Sequence, residues 1–412
     1  MKMNRLLICI LCIVASFVSS CDYVVRERIM AQFEMYDGER LSLGVNDVSY
    51  EDTSDVIKIP PIEVDHTYEA VLEDVIDSIY VVPLETTEES FLAVISKVKI
   101  YNDIIYVLDG KSNVIKSFAK DGSFIGQIGK VGQGPGEYNS PMDFFVDDRG
   151  IVVFDNAQCK LLIYDKNLRY VEDKRLPFLC QQVERLSGGD YLFYMTSSQN
   201  YHIPKILGYN LLVTDSLFNI KSRGVYRDEQ EWISFFTYNS VVRNCDALFI
   251  NDTYTDSIYT VSSSGEMSCA YVLDYDGHRP IEVYKERGLL KKKRYDKDYY
   301  YLFSTFVSDD HVLVNTGPLD KTVNVVYSKR CKNSVVVEDV TFGGKSLVFK
   351  MCNPIGVWRD CFVFVNYADE ILSNKSLGCV MYGMGDNLLT LTSEDNPVLV
   401  MVRFAHFNDD KI

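Results

Sequence analysis

One pattern constrains this chain more than any other, because it returns six times after residue 75. Each copy has a tight polar turn followed by a short apolar strand ending in Asp, Asn or Thr. The turns are Asn102-Asp103, Asp148-Arg149-Gly150, Gly188-Gly189-Asp190, Asn244-Cys245-Asp246, Asp309-Asp310 and Arg359-Asp360. The strands after them read IIYVLD (104–109), IVVFD (151–155), YLFYMT (191–196), ALFIND (247–252), VLVNT (312–316) and FVFVN (362–366). Gly, Asn and Asp suit such turns because they tolerate positive φ or bond their own backbone. Further apolar runs follow at matching offsets: Ile115, Leu161 and Ile258 each stand six residues beyond a strand-ending Asp. The unit is therefore a four-stranded antiparallel sheet. One such sheet cannot bury both faces, so several must stack around an axis as the blades of a propeller.

The spacing predicts an all-β, six-bladed β-propeller over residues 57–412. Ile79–Val402 allows about 54 residues per blade, with surplus length in insertions near 278–300 and 367–390. The last blade is one strand short, since VLVMVRF (398–404) is its third run and only eight residues follow. The early run SIYVVPL (78–84) has no blade of its own, and it is expected to supply the missing outer strand and close the ring. The insertion 278–303 is the only stretch after residue 75 that reads as a helix, and it carries the basic run Lys291–Arg294. That run could dock an acidic partner or an anionic glycan, or simply be a solvated helix face.

The N-terminus has the three-part layout of an export signal over residues 1–20. Lys2 and Arg5 precede an apolar stretch from Leu6 to about Phe17, and Ser19 and Ser20 lead into Cys21. The apolar stretch is short for a membrane-spanning helix, which needs roughly 20 residues. Val18-Ser19-Ser20-Cys21 resembles the bacterial lipobox, which implies cleavage before Cys21 and acylation of its thiol. More than one acyl chain is needed for stable anchoring. The alternative is a plain signal with a chance cysteine. Residues 21–56 are polar and without periodicity, so they read as anchor and spacer. The expected location is the membrane, facing the periplasm or cell surface.

Charge excludes some partners. The chain has 58 acidic and 42 basic residues, a formal charge of −16. That disfavours nucleic acid, where Lys and Arg must neutralise phosphates, and electrostatic docking on anionic lipid. Eight cysteines follow Cys21 at irregular spacing without a CxxC, so zinc is not expected. Buried thiols are the simplest reading, with Cys352–Cys361 the first pair to consider for a disulfide. Gly344-Lys345-Ser346 looks like the end of a Walker A loop, but Asp339 stands where the first Gly belongs. Neither G-x-S-x-G nor H-E-x-x-H occurs.

The segment GQIGKVGQGPGEYNSPMDFFVDDRGIVVFDNAQCKLLIYD (126–165) resembles NHL-type propeller repeats through Gly129, Gly132, Gly134, Pro135, Gly136, Glu137, Tyr138 and Pro141. Gly-Pro-Gly-Glu does not recur in blades three to five. The runs at 74–90 and 394–404 are similar to the ends of the six-bladed propeller lipoproteins of Gram-negative gut bacteria. The resemblance implies a lipidated propeller and no settled activity; related propellers include calcium-dependent lactonases and esterases as well as binding scaffolds.

Candidate ligand residues follow from propeller geometry. Crossings between blades share one face with the turns between second and third strands. That face should gather Gln133–Tyr138, Phe178–Gln181, Gln230–Phe236 and the insertion 278–300. The Gly-rich stretch serves a tight crossing, although its N–H groups could hold an anion. Glu137, Tyr138, Tyr201, His202 and Trp232 are the candidate ligand residues, since aromatics with a polar tip can stack on sugar rings or other flat ligands. Trp232 could equally pack on a neighbouring blade. The expected function is an envelope binding protein for a glycan, a peptide or another envelope protein, with no cofactor and no defined catalytic residues. The alternative is a metal-dependent hydrolase or lactonase with Ca²⁺ at the axis. Asp109, Asp155 and Asp252 recur at equivalent positions, which favours turn hydrogen bonding over one axial metal. A structural subunit of a larger complex is a third option.

Overall fold

The computed structural model describes residues 24–48, 50–63, 65–195, 199–226, 239–244, 246–252, 255–262, 264–280, 299–318, 320–342, 345–347, 354–373 and 391–406. Six antiparallel sheets surround one axis, and their inner strands touch in ring order. Blade I is Ile95–Tyr101, Ile104–Asp109, Val114–Ala119 and Phe124–Ile128, from inner to outer strand. Blade II is Pro141–Asp147, Gly150–Asp155, Lys160–Tyr164 and Tyr170–Arg175. Blade III is Gln182–Arg185, Tyr191–Tyr194, Tyr209–Thr214 and Ile220–Tyr226. Blade IV is Val241–Asn244, Ala247–Asn251, Ser257–Val261 and Met267–Asp274. Blade V is Tyr299–Val307, His311–Gly317, Val323–Ser328 and Asn333–Val337. Blade VI is Pro354–Trp358, Cys361–Asn366 and Val398–Phe404, completed on its outside by Ile76–Pro83.

All six apolar runs after the polar turns are second strands. They read as unbroken apolar stretches because a middle strand has both faces buried. In blade II, Ile151 and Val153 face the blade I side, while Val152 and Phe154 face blade III. This period of two divides the core into six sandwiches, one per blade junction. The hairpins between inner and second strands use positive φ at Asn102, Asp103 and Arg359, as the right-handed twist of the strands requires. The ring closes as expected: Val398 pairs with Pro83 and Val402 with Ile79, antiparallel.

The strand-ending aspartates tie the crossings down. Asp109 accepts hydrogen bonds from the N–H groups of Ala93, Val94, Lys111 and Ser112 at 2.7–3.1 Å. Asp155 repeats this with Asn139, Ser140, Ala157 and Gln158 at 2.8–3.3 Å. Asn200 and Asn396 do related work at other junctions, accepting from Leu179 N and Leu92 N, both at 2.7 Å.

The segment read as a spacer is a strap instead. A helix over 24–32 leads to Ile29 and Phe33, both buried against the blade II–III core. Asp37 caps the turn Gly38–Leu41 through Glu39 N and Arg40 N. Asn46–Asp47 then adds a parallel strand to the outside of blade III, and Tyr50–Lys58 does so on blade IV. Glu69–Val71 pairs parallel with Asp339–Phe342 before the chain becomes the closing strand. Parallel edge addition is made by backbone groups, so it leaves little side-chain periodicity to read.

Residues 281–298 of the expected helix, with the basic run, lie outside the described residues. Its start, Arg279–Pro280, pairs parallel with Tyr299–Tyr300. The second insertion opens with a short helix, Ala368–Ser373. Cys361 is a free, buried thiol rather than half of a disulfide with Cys352. Its side chain is packed in the blade VI–I core beside Val363 and Met401, and Cys352 lies outside the described residues.

Candidate functional site

Of the described candidate residues on the crossing face, Tyr138 packs in the blade I–II core and Tyr201 against the blade II–III core, so Glu137 and Tyr138 are not brought together with Tyr201 and His202. Glu137 turns into its own Gly-rich crossing, where Oε2 accepts from Gly134 N at 2.9 Å and Oε1 pairs with Lys130 at 3.0 Å. The loop is folded around that carboxylate, since a Cβ on Gly132 would stand 2.1 Å from Oε2. Backbone N–H groups that could have held an external anion thus hold an internal one. Tyr138 is fully buried; its hydroxyl donates to Ile128 O at 2.6 Å and accepts from Ile115 N at 3.2 Å. Desolvation raises its phenol well above the ordinary range.

Tyr201 and His202 lie beyond the second strand of blade III, under the strap. The Arg26 guanidinium sits 5.3 Å from the Tyr201 ring centroid. Phe33 stacks on His202 at 4.5 Å and 7°. His202 Nε2 is 2.7 Å from Pro177 O, and burial lowers the imidazole pKa. Trp232 and Cys21 lie outside the described residues.

The chemistry concentrates on the axis, towards the opposite face, where inner strands turn into second strands. A cavity of about 260 Å³ is lined there by residues from the inner strands of all six blades. Its two sides differ. Blades I, III and IV contribute the charges of Lys99, Glu184, Arg243 and Asp246, whereas blades V and VI contribute Phe306, Ile355, Val357 and Trp358, with Arg359 beyond them at the rim. On the charged side Glu184 is held by Lys99 Nζ at 2.6 Å and by Arg243 Nε at 3.1 Å. Deeper in, Lys97 pairs with Asp143, whose second oxygen accepts from Val183 N at 2.8 Å. Arg185 bonds Asp147 at 2.7 Å and lies over Phe145 and Tyr191. Lys97–Asp143, Arg185–Asp147 and Glu184–Arg243 join neighbouring inner strands, and Lys99–Glu184 reaches across the axis from blade I to blade III.

Burial alone would raise the Glu184 carboxyl pKa, but the charges of Lys99 and Arg243 outweigh it and leave the group below its ordinary range. The Lys97–Asp143 pair is dominated by desolvation. Burial pushes the ammonium down and the carboxyl up, and each charge holds the other part-way. Trp358 and Arg359 occupy the cavity mouth, with the guanidinium 4.9 Å from the indole. The same two residues also wall a more apolar groove of about 510 Å³ between blades VI and I.

This arrangement suits binding. Among the described residues no three His, Cys, Asp or Glu side chains come together as a cation would need. The axial carboxylates Asp143 and Glu184 already face ammonium and guanidinium groups, so they do not fit as calcium ligands. Ser308, His311 and Asp360 are neighbours, but they lack the nucleophile–base contact of a hydrolase. Ser308 Oγ donates to Asp360 at 2.7 Å, His311 Nε2 faces Ala405 O at 3.1 Å, and the His311 ring stacks on His406.

The model for the family described as "Domain of unknown function (DUF4934)" matches residues 54–403. The chain belongs to that family. No curated protein sequence matches it. Among solved structures it is similar to a protein of Bacteroides fragilis described as exported. That pair is 21% identical with a TM-score of 0.69, covering 85% of this chain and 100% of the other. It is also similar to a DUF4221-family protein of Bacteroides vulgatus, at 8% identity and a TM-score of 0.48, covering 80% of this chain and 97% of the other. The first likeness shows the fold. The matched span 54–403 takes in every blade and the closing strand, and it begins inside the strap.

Sequence reasoning missed Lys97, Lys99, Asp143, Glu184 and Arg243. A signal existed: ISKVKIY, PMDFFVD, QVER and VVRN each place a charge inside a strand that must face the axis.

Proposed function

We propose that this protein is a cell-envelope lipoprotein that binds a glycan, a peptide or another envelope protein through the axial cavity of its propeller. One observation carries the reading. Inner strands of all six blades converge on one cavity that combines a charged side with an apolar, Trp358-bearing side. Such a pairing of apolar surface with a few oriented polar groups is what a ligand site needs. The adjoining groove past Trp358 gives a longer ligand somewhere to continue. The signal-like residues 1–20, Cys21 and the exported relative from Bacteroides fragilis support placement in the envelope. No helix among the described residues is long and apolar enough to cross a membrane, so attachment in this reading is through acylated Cys21.

Two measurements test it. Val357→Trp should fill the cavity and abolish binding to whichever members of a glycan and peptide panel the unaltered protein retains. Retention of all of them would exclude the axis. Cys21→Ala should move the protein out of the membrane fraction and remove palmitate labelling. A Cys21→Ala protein that stays membrane-bound would refute the anchor.

A further inference from the structure

The axial cavity shows Lys99 and Arg243 to solvent and hides the Glu184 between them, while Asp246 stays exposed at its rim. Lys99 and Arg243 keep 17% and 24% of their side-chain surface, whereas the Glu184 between them keeps 2%. Glu184 occupies one N–H of each cation. The Arg243 fork also donates to Arg185 O, which leaves Nη1 and the remaining Lys99 protons directed to neither. Arg359, exposed at the mouth, has no carboxylate partner among the described residues. Lys97 and Asp143 cancel in the wall behind. Of the charged residues lining the cavity, Lys99, Arg243 and Arg359 stand against Glu184 and Asp246. The hollow is thus net positive and partly desolvated in a protein whose formal charge is −16.

Resting on the reading of this cavity as a ligand site, we propose that it selects a small ligand bearing a carboxylate. The carboxylate is received by Lys99, Arg243 and Arg359, and the ligand's less polar face lies against Val357 and Trp358. Guanidinium forks match the geometry of a carboxylate, and charge-assisted bonds are about twice as strong as neutral ones. Low-dielectric walls reduce screening there, so the local field can favour an anion despite the overall charge. A cavity of about 260 Å³ holds one sugar ring or one amino-acid side chain with its backbone. The carboxylate could therefore belong to a uronic acid or to an acidic peptide residue, and the experiment separates these sources.

Isothermal titration of the full-length mature protein would use D-glucuronate against D-glucose, and N-acetyl-L-glutamate against N-acetyl-L-glutamine. Each acid that binds should do so at least about tenfold more tightly than its neutral partner, with affinity falling as NaCl is raised. Glucuronate alone assigns the carboxylate to a saccharide, and N-acetylglutamate alone assigns it to a peptide. Arg359→Gln, at an exposed position with no ion pair among the described residues, should weaken the acid about tenfold. Lys99→Met should weaken it too, with folding checked by circular dichroism because Glu184 then keeps only Arg243. Neutral compounds binding as well as their acids would overturn carboxylate selection yet leave the cavity as a site. No heat from either acid at about 10 mM, where even millimolar affinity is measurable, would overturn the proposal outright. The Val357→Trp panel separately decides whether the axis binds anything.

Discussion

The two faces of this propeller had equal claims in principle, and they differ in who occupies their polar and aromatic groups. Among the described residues of the crossing face, the chain fills its own sites. Glu137 sits in its Gly-rich loop, the Tyr138 hydroxyl bridges two backbone groups, and Phe33 covers His202. On the opposite face the axial cavity keeps donors turned outward because blades, unlike loops, cannot bend in to satisfy them. Here the described loops are internally bonded, whereas the ring of rigid strands leaves a hollow at its centre. The polar groups left over in that hollow are the ones able to meet a ligand.

The sharpest way to break this contrast is to disturb the axis. Lys97→Met would leave Asp143 buried opposite a methyl group. Removing one partner of a buried pair costs about 3–5 kcal/mol, read as a lower urea midpoint. Lys97→Met with Asp143→Leu should recover most of that loss, since an apolar pair of similar volume is often neutral. If the double variant stays as unstable as the single one, the pair is fixing strand register between blades I and II as well as cancelling charge.

On the crossing face the comparable experiment is Phe33→Ala. Truncating a buried Phe costs about 3 kcal/mol or more, but here the loss should be local. Residues 24–45 should become protease-sensitive while the blades stay folded. With the cover gone, the His202 imidazole is no longer held down by burial, and its pKa, followed by NMR, should rise towards the ordinary value. An unchanged titration would mean that the strap does not seal this face. A smaller effect is expected at Asp109→Ala, which frees four backbone N–H groups of one crossing. Some become hydrated, so about 1–3 kcal/mol is expected, and Asp155→Ala should match it because the bonds are the same in kind.

What could be read in the sequence follows the same division. Second strands were legible because burial on both faces writes an unbroken apolar run, and polar hairpins bracket it. Ile76–Pro83 was legible because the last blade lacked a strand. The strap was not, because a parallel edge strand such as Tyr50–Lys58 is joined through backbone groups. Nor could the fate of Tyr201 and His202 be read, since Arg26 and Phe33, which cover them, lie about 170 residues earlier. Axial charges such as Lys99 and Glu184 look like solvated residues until closure of the ring turns them inward.

The least of the expected changes bears on how the axis is held together in acid. Glu184 has a carboxyl pKa below its ordinary 4.5 in the folded protein, since the pull of Lys99 and Arg243 exceeds the cost of burial. A group depressed on folding contributes stability that is complete above its unfolded pKa and lost as pH falls through the folded one. The unaltered protein should therefore lose stability from about pH 4.5 downwards partly through this residue. Glu184→Gln removes that proton uptake, so its urea midpoint should fall less steeply than that of the unaltered protein over the same interval. Equal slopes would show that Lys99 and Arg243 do not stabilise the Glu184 anion. The two cations would then be pointing elsewhere, and the buried Glu184 would not be what holds them at the cavity wall.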